Sequence, residues 1–137
     1  MNSSPPSHFP FRKPLALIAE DHPDSRDLLK TILQMKGCEV VEVEDSQQAF
    51  CLEEGMHPDI VIVNVTFRDT DLLTVVKQTR QQTAPATLII TSSCATPAFR
   101  DKALATGCDE FLVKPYDFKQ LDFILERHLP SSQPGHQ

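Results

Sequence analysis

Four polar groups in this 137-residue chain could do chemistry together: Glu20-Asp21, Asn64, Ser92 and Lys114-Pro115. Each follows a short apolar run, and each would stand where that run ends. Two carboxylates, an amide, a hydroxyl and an ammonium gather charge of both signs, but their centre lacks a good nucleophile. The Asn64 amide delocalises its nitrogen lone pair and offers only a weak neutral oxygen nucleophile. His22 beside the acidic pair could ligate a transition metal, although a helix-start residue facing water is the simpler account. Cys38, Cys51, Cys94 and Cys108 show no Cys-x-x-Cys spacing and read as small buried apolar residues rather than as zinc ligands or a redox pair.

The elements that must position these groups follow in strict alternation. Leu15 to Ala19 is an apolar strand, and Pro23 opens a helix carrying Leu28, Leu29, Ile32, Leu33 and Lys36 until Gly37 ends it. Glu39 to Val43 is a second strand, with Asp45 able to cap a helix from Ser46 to about Glu54. Ile60 to Val63 is apolar without alternation, so both faces of that strand should be covered, as in a parallel sheet. After a polar loop from Thr66 to Thr70, Asp71 can cap a helix bearing Leu72, Leu73, Val75, Val76 and Thr79. Ala86 to Thr91 is a fourth strand with Ser92-Ser93 just past its end; Ala98 to Thr106 is a helix stopped by Gly107. Glu110 to Val113 is the fifth strand, and Asp117 caps a last helix with Leu121, Ile124, Leu125 and Leu129 inward.

Five such pairs imply a parallel α/β sheet with right-handed crossovers and helices on both faces. The polar groups then converge at the carboxyl ends of four strands, where open α/β sheets keep their ligands. One domain is expected over residues 15–130. Residues 1–14 form a Pro/Ser-rich arm expected to be disordered, as is the tail 131–137. Phe9 and Phe11 interrupt the arm; they are either incidental there or dock onto this or another chain. Thirteen basic against nineteen acidic residues leave a formal charge of -6, which disfavours nucleic acid and anionic lipid as partners. No apolar run approaches a membrane span, and no secretory signal is evident, so a cytoplasmic place is expected.

From Leu15 to Leu129 the chain resembles the receiver domain of two-component response regulators. Glu20-Asp21 stands where that family holds a divalent metal, Ser92 where it has Ser or Thr, and Lys114-Pro115 matches its Lys-Pro. Phe111 matches its aromatic switch position, and residues 107–115 are close to its usual segment before the last helix. The resemblance implies a flavodoxin-like (βα)5 doubly wound fold whose five-stranded parallel sheet runs in the order 2-1-3-4-5. It also implies an aspartate at position 64, phosphorylated from a histidine kinase with magnesium assistance, and a commonly cis Lys114-Pro115 bond. The chain departs from the family at Asn64, at Phe67-Arg68 in place of Met-Pro, and at Leu72 in place of Gly.

Three consequences are expected. The metal set of Glu20, Asp21, Asn64 and the Thr66 carbonyl loses one formal negative, so magnesium binding weakens or fails. Lys114 turns to Glu20 or Asp21, or bonds Asn64 neutrally, and could occupy the metal position itself. The phosphate trigger that would recruit Ser92 and move Phe111 is missing, which fixes the equilibrium by sequence. The expectation is a stand-alone, non-enzymatic interaction module of a phosphorelay. Its partners would be a histidine kinase, another receiver or a copy of itself, met around Ala98, Phe99, Lys102, Phe111, Tyr116 and Lys119; Val65 and Phe67 form a lesser candidate surface. Alternatives are phosphorylation at a substitute carboxylate, Asp69 before Asp59 or Asp71, and a flavodoxin-type cofactor protein. The latter needs a Gly/Ser/Thr-rich loop after the first strand, and Glu20-Asp21-His22-Pro23-Asp24 would repel a phosphate there.

Overall fold

The computed structural model describes residues 13–44, 56–65, 72–93 and 96–129. Strand β1 (Leu15–Ala19) leads into helix α1 (Pro23–Met35) and strand β2 (Glu39–Val43). Strand β3 (Ile60–Asn64) is followed by α2 (Leu72–Thr83), β4 (Thr87–Ser92), α3 (Pro97–Thr106), β5 (Glu110–Val113) and α4 (Phe118–His128). All pairings are parallel and the sheet order is β2-β1-β3-β4-β5, as the resemblance implies. The expected helix from Ser46, the Thr66 to Thr70 loop, the Asp71 cap and both termini lie outside the described residues.

Side chains of successive strand residues go to opposite faces, and here both faces are buried. Leu17, Val61, Val63, Leu88, Ile90 and Phe111 join Val76 of α2 and Ala103 of α3 in one core. Ile18, Ile60, Ile62, Ile89 and Leu112 join Leu29 and Leu33 of α1 and Leu121 and Leu125 of α4 in the other. That two-sided demand explains why β1 and β3 are apolar throughout rather than alternating. Leu28, one of the residues at helical spacing in α1, is 44% exposed, one position off the buried Leu29 and Leu33 line.

Helix ends follow local chemistry. His22 Nδ1 accepts from the Ser25 amide at 3.3 Å, Thr96 from Phe99, and Asp117 from Gln120 at 2.7 Å, each satisfying an otherwise orphan donor. Thr96 moves the start of α3 to Pro97, one residue ahead of expectation. Gly37 and Gly107 close α1 and α3 at φ 91° and 139°, where a side chain would be strained. Strand β4 corrects the expected boundary: it runs Thr87–Ser92, so Ser92 is the last strand residue, paired with Val113, rather than the first of a turn.

Cys38 and Cys108 are buried, and burial pushes each thiol up to about 11; the other two cysteines lie outside the described residues. No helix among the described residues is long and apolar enough to cross a membrane.

Candidate functional site

At the carboxyl ends of β1, β3 and β5, Glu20, Asp21, Asn64, Lys114, Pro115 and Tyr116 line a crevice of about 520 Å3. Glu20 lies at its floor, 1% exposed, and a buried carboxylate requires partners. Its Oε1 accepts from Lys114 Nζ at 2.8 Å and its Oε2 from the His22 amide at 3.0 Å. Its backbone carbonyl accepts from Arg26 Nη1 at 2.8 Å, tying the strand end to α1. Of the partners open to Lys114 in the sequence, the structure therefore selects Glu20. The Lys114-Pro115 bond is cis.

Asn64 ends β3 with its amide held from both sides. Nδ2 donates to Asp21 Oδ1 at 3.2 Å, and Oδ1 accepts from Thr91 Oγ1 at 3.1 Å. Thr91 is the residue that sequence reasoning missed, passing it over as an interior strand position. The available signal was register: Asn64 and Thr91 are direct partners across β3 and β4, and a fully buried threonine hydroxyl must find an acceptor. Tyr116 is the second omission from the site. Burial, and then the Glu20 carboxylate, push its phenol up to about 12.

The other predicted residues are less central. Ser92 is 1% exposed and does not line the crevice, although its carbonyl accepts the Lys114 amide at 2.7 Å. Phe111 is 6% exposed, with its ring edge-on to Phe99 at 5.7 Å between centroids. That burial corrects its inclusion in the expected contact surface, of which Ala98, Lys102 and Lys119 are exposed. Val65 is likewise fully buried in the core and belongs to no surface. Asp59 lies at the opposite end of β3, where its carboxylate accepts the Leu15 amide at 2.7 Å, far from Asn64 in the strand direction. Thr66, Phe67, Asp69 and Asp71 lie outside the described residues.

A hard divalent cation takes oxygen ligands, favouring anionic ones. Here one carboxylate is engaged by an ammonium, and an amide N–H points at the other. As arranged, these residues do not fit a divalent metal unless Lys114 withdraws and the Asn64 amide turns over.

A family model described as the response regulator receiver domain matches residues 16–126. The chain belongs to that family. This receiver domain is 33% identical over 111 residues to the chemotaxis protein CheY of Bacillus subtilis, a match covering 80% of this chain and 90% of CheY. It is 26% identical over 113 residues to the regulatory protein AtoC of Escherichia coli, covering 82% of this chain but 24% of AtoC. Among solved structures, a response regulator from Thermotoga maritima superposes with TM-score 0.76 at 18% identity, over 88% of this receiver domain and 100% of that chain. The receiver domain of a sensor histidine kinase from Pseudomonas aeruginosa PAO1, solved with magnesium coordinated in its active-site cleft, gives TM-score 0.71 at 24% identity over 88% and 100%. These likenesses show the fold.

Proposed function

We propose that this receiver domain is set by its sequence rather than switched by phosphorylation, and that it acts as a non-enzymatic interaction module in a two-component or phosphorelay pathway. The folded unit is taken as residues 15–130. The observation that carries the proposal is the side chain at the end of β3: an amide, bonded to Asp21 and to Thr91, in the place where the family resemblance calls for an aspartate. An amide oxygen that already accepts from Thr91 and carries no charge is a poor acceptor for a phosphoryl group. Lys114, paired with Glu20 at 2.8 Å, supplies from within the positive charge that a magnesium ion would bring, so metal binding is weak. Phe111, already packed against Phe99, needs no phosphate to bring it inside.

Partners would be a histidine kinase, another receiver or a second copy, through the exposed Ala98, Lys102 and Lys119 side; nucleic acid and membrane are not expected. Treatment with acetyl phosphate and magnesium, followed by intact mass, tests the proposal. The native chain should gain no 80 Da adduct, whereas Asn64→Asp should. An acyl phosphate on the native chain, mapped to Asp69 or any other residue, would overturn it.

A further inference from the structure

Beside the crevice an apolar surface lies open. On the face carrying α1 and α4, Met35 is 80% exposed and Phe118 58%. Between the two helices runs a groove of about 430 Å3, lined by Ile32, Met35, Lys36, Phe118, Lys119 and Asp122. Its volume falls in the range that holds a small apolar ligand. We infer that the occupant is the Phe9-Pro10-Phe11 segment of the same chain, with its rings laid against Met35 and Phe118.

Reach comes first. The Pro14 carbonyl accepts the Glu39 amide at 2.9 Å, so the chain enters the sheet beside the start of β2, four residues after Met35. Four residues separate Glu39 from Met35 by at most about 14 Å, and the five from Phe9 to Pro14 can extend over about 17 Å. The Phe9 ring therefore reaches the Met35 end of the groove, with Phe11 nearer the start of β1. Charge does not oppose this: residues 1–14 contain Arg12 and Lys13 and no carboxylate, and on the rim Asp122 and Glu126 balance Lys36 and Lys119. Pro10 restricts the backbone between the two rings, so less freedom is lost on docking. A tethered segment also competes at an effective concentration in the millimolar range, ahead of a free second copy. Phe118 lines the Glu20 crevice as well, so the docked arm borders that crevice and any partner using this face must displace it.

The chain has three methionines, so a sample labelled with 13C at the methionine methyls gives a sparse spectrum in which Met35 can be assigned. In the full chain the Met35 methyl should show cross-relaxation to the Phe9 or Phe11 ring protons and shift when both are replaced (Phe9→Ala with Phe11→Ala). The double substitution separates these rings from Phe118, which stays in place. An unchanged methyl without those contacts overturns the inference. So does a methyl shift that follows protein concentration, which would assign the groove to a second copy. In a second measurement, trypsin should cut after Arg12 roughly fivefold more slowly in the native chain than in Met35→Asp; equal rates overturn it too.

Discussion

Replacing Asn64 with aspartate should make the metal-free domain less stable, although it restores the residue the family resemblance calls for. In the native chain the Asn64 amide donates to Asp21 at 3.2 Å. In Asn64→Asp that donor becomes a second carboxylate. Two unit charges at that separation repel by about 1.3 kcal/mol in water and about 5 kcal/mol at an effective dielectric of 20. Asp21 is exposed, so the lower part of that range applies. Loss of the amide hydrogen bond adds about 1 kcal/mol. Lys114, 2.8 Å from Glu20, can lean toward the new carboxylate and offset part of this. A net loss of about 2 kcal/mol corresponds, for a domain of this size, to a fall in Tm of roughly 6–10 °C. Magnesium should return most of the loss, because three carboxylates then face the cation, and it should raise the native Tm little. The assay is thermal unfolding by circular dichroism of both chains, in chelator and in millimolar magnesium. A variant as stable as the native chain in chelator would refute the contact between Asp21 and residue 64. Equal stabilisation of both chains by magnesium would refute the account of Lys114.

Lys114→Met should cost about 3–5 kcal/mol in urea unfolding, because it strands the Glu20 carboxylate, 1% exposed, with one backbone donor; adding Glu20→Gln should recover part of that. Tyr116 is the only tyrosine and the chain has no tryptophan, so absorbance near 295 nm reads it alone. Its midpoint should lie well above 10, near 12; because the unfolded chain loses that proton first, stability should fall as pH rises from about 10 to about 12. Thr91→Val removes the donor to Asn64 Oδ1 and should cost about 1–3 kcal/mol by the shift in urea midpoint; an unchanged midpoint would show that Asn64 is not held by Thr91.

Much of the fold was legible because its determinants are local. The bounds of β1, β2 and β5 follow from apolar runs flanked by Pro, Gly or charge, and Pro23 and Asp117 mark helix starts in the sequence itself. Boundaries slipped where a local rule met a tertiary one. Ser92 looks like a turn residue, but pairing with Val113 keeps it in β4. Leu28 shares the helical spacing of Leu29, Ile32 and Leu33, yet one step around a helix is about 100°, enough to turn it to solvent. The crevice residues were found because each polar side chain breaks an apolar run. Thr91 was not, since threonine suits a strand anyway and its role depends on which residue lies opposite it on β3. Tyr116 was assigned to a contact surface, whereas its proximity to Glu20 depends on how the chain leaves β5, which spacing alone does not specify.

Among the described residues, the Glu20 and Asn64 side chains are held by bonds made within the crevice. Both Glu20 oxygens are taken, by Lys114 and by the His22 amide; Asp21 Oδ1 accepts from Asn64, and Asn64 Oδ1 accepts from Thr91. A site that answers to an incoming ion or phosphoryl group needs unpaired capacity for that group, because the arriving charge must find partners that cost little to release. Here an arrival at Glu20 or at the Asn64 oxygen must first break a contact made within the protein, and one of those contacts is an ion pair with a buried carboxylate, costly to leave uncompensated. An aspartate at 64 would reopen the cycle by setting two carboxylates against each other with only Lys114 between them. The single amide therefore does two things at once: it removes the nucleophile and it supplies the donor that satisfies Asp21. Under the proposal that the domain is set by its sequence, control falls to surfaces outside the crevice, and the groove between α1 and α4 shares Phe118 with it.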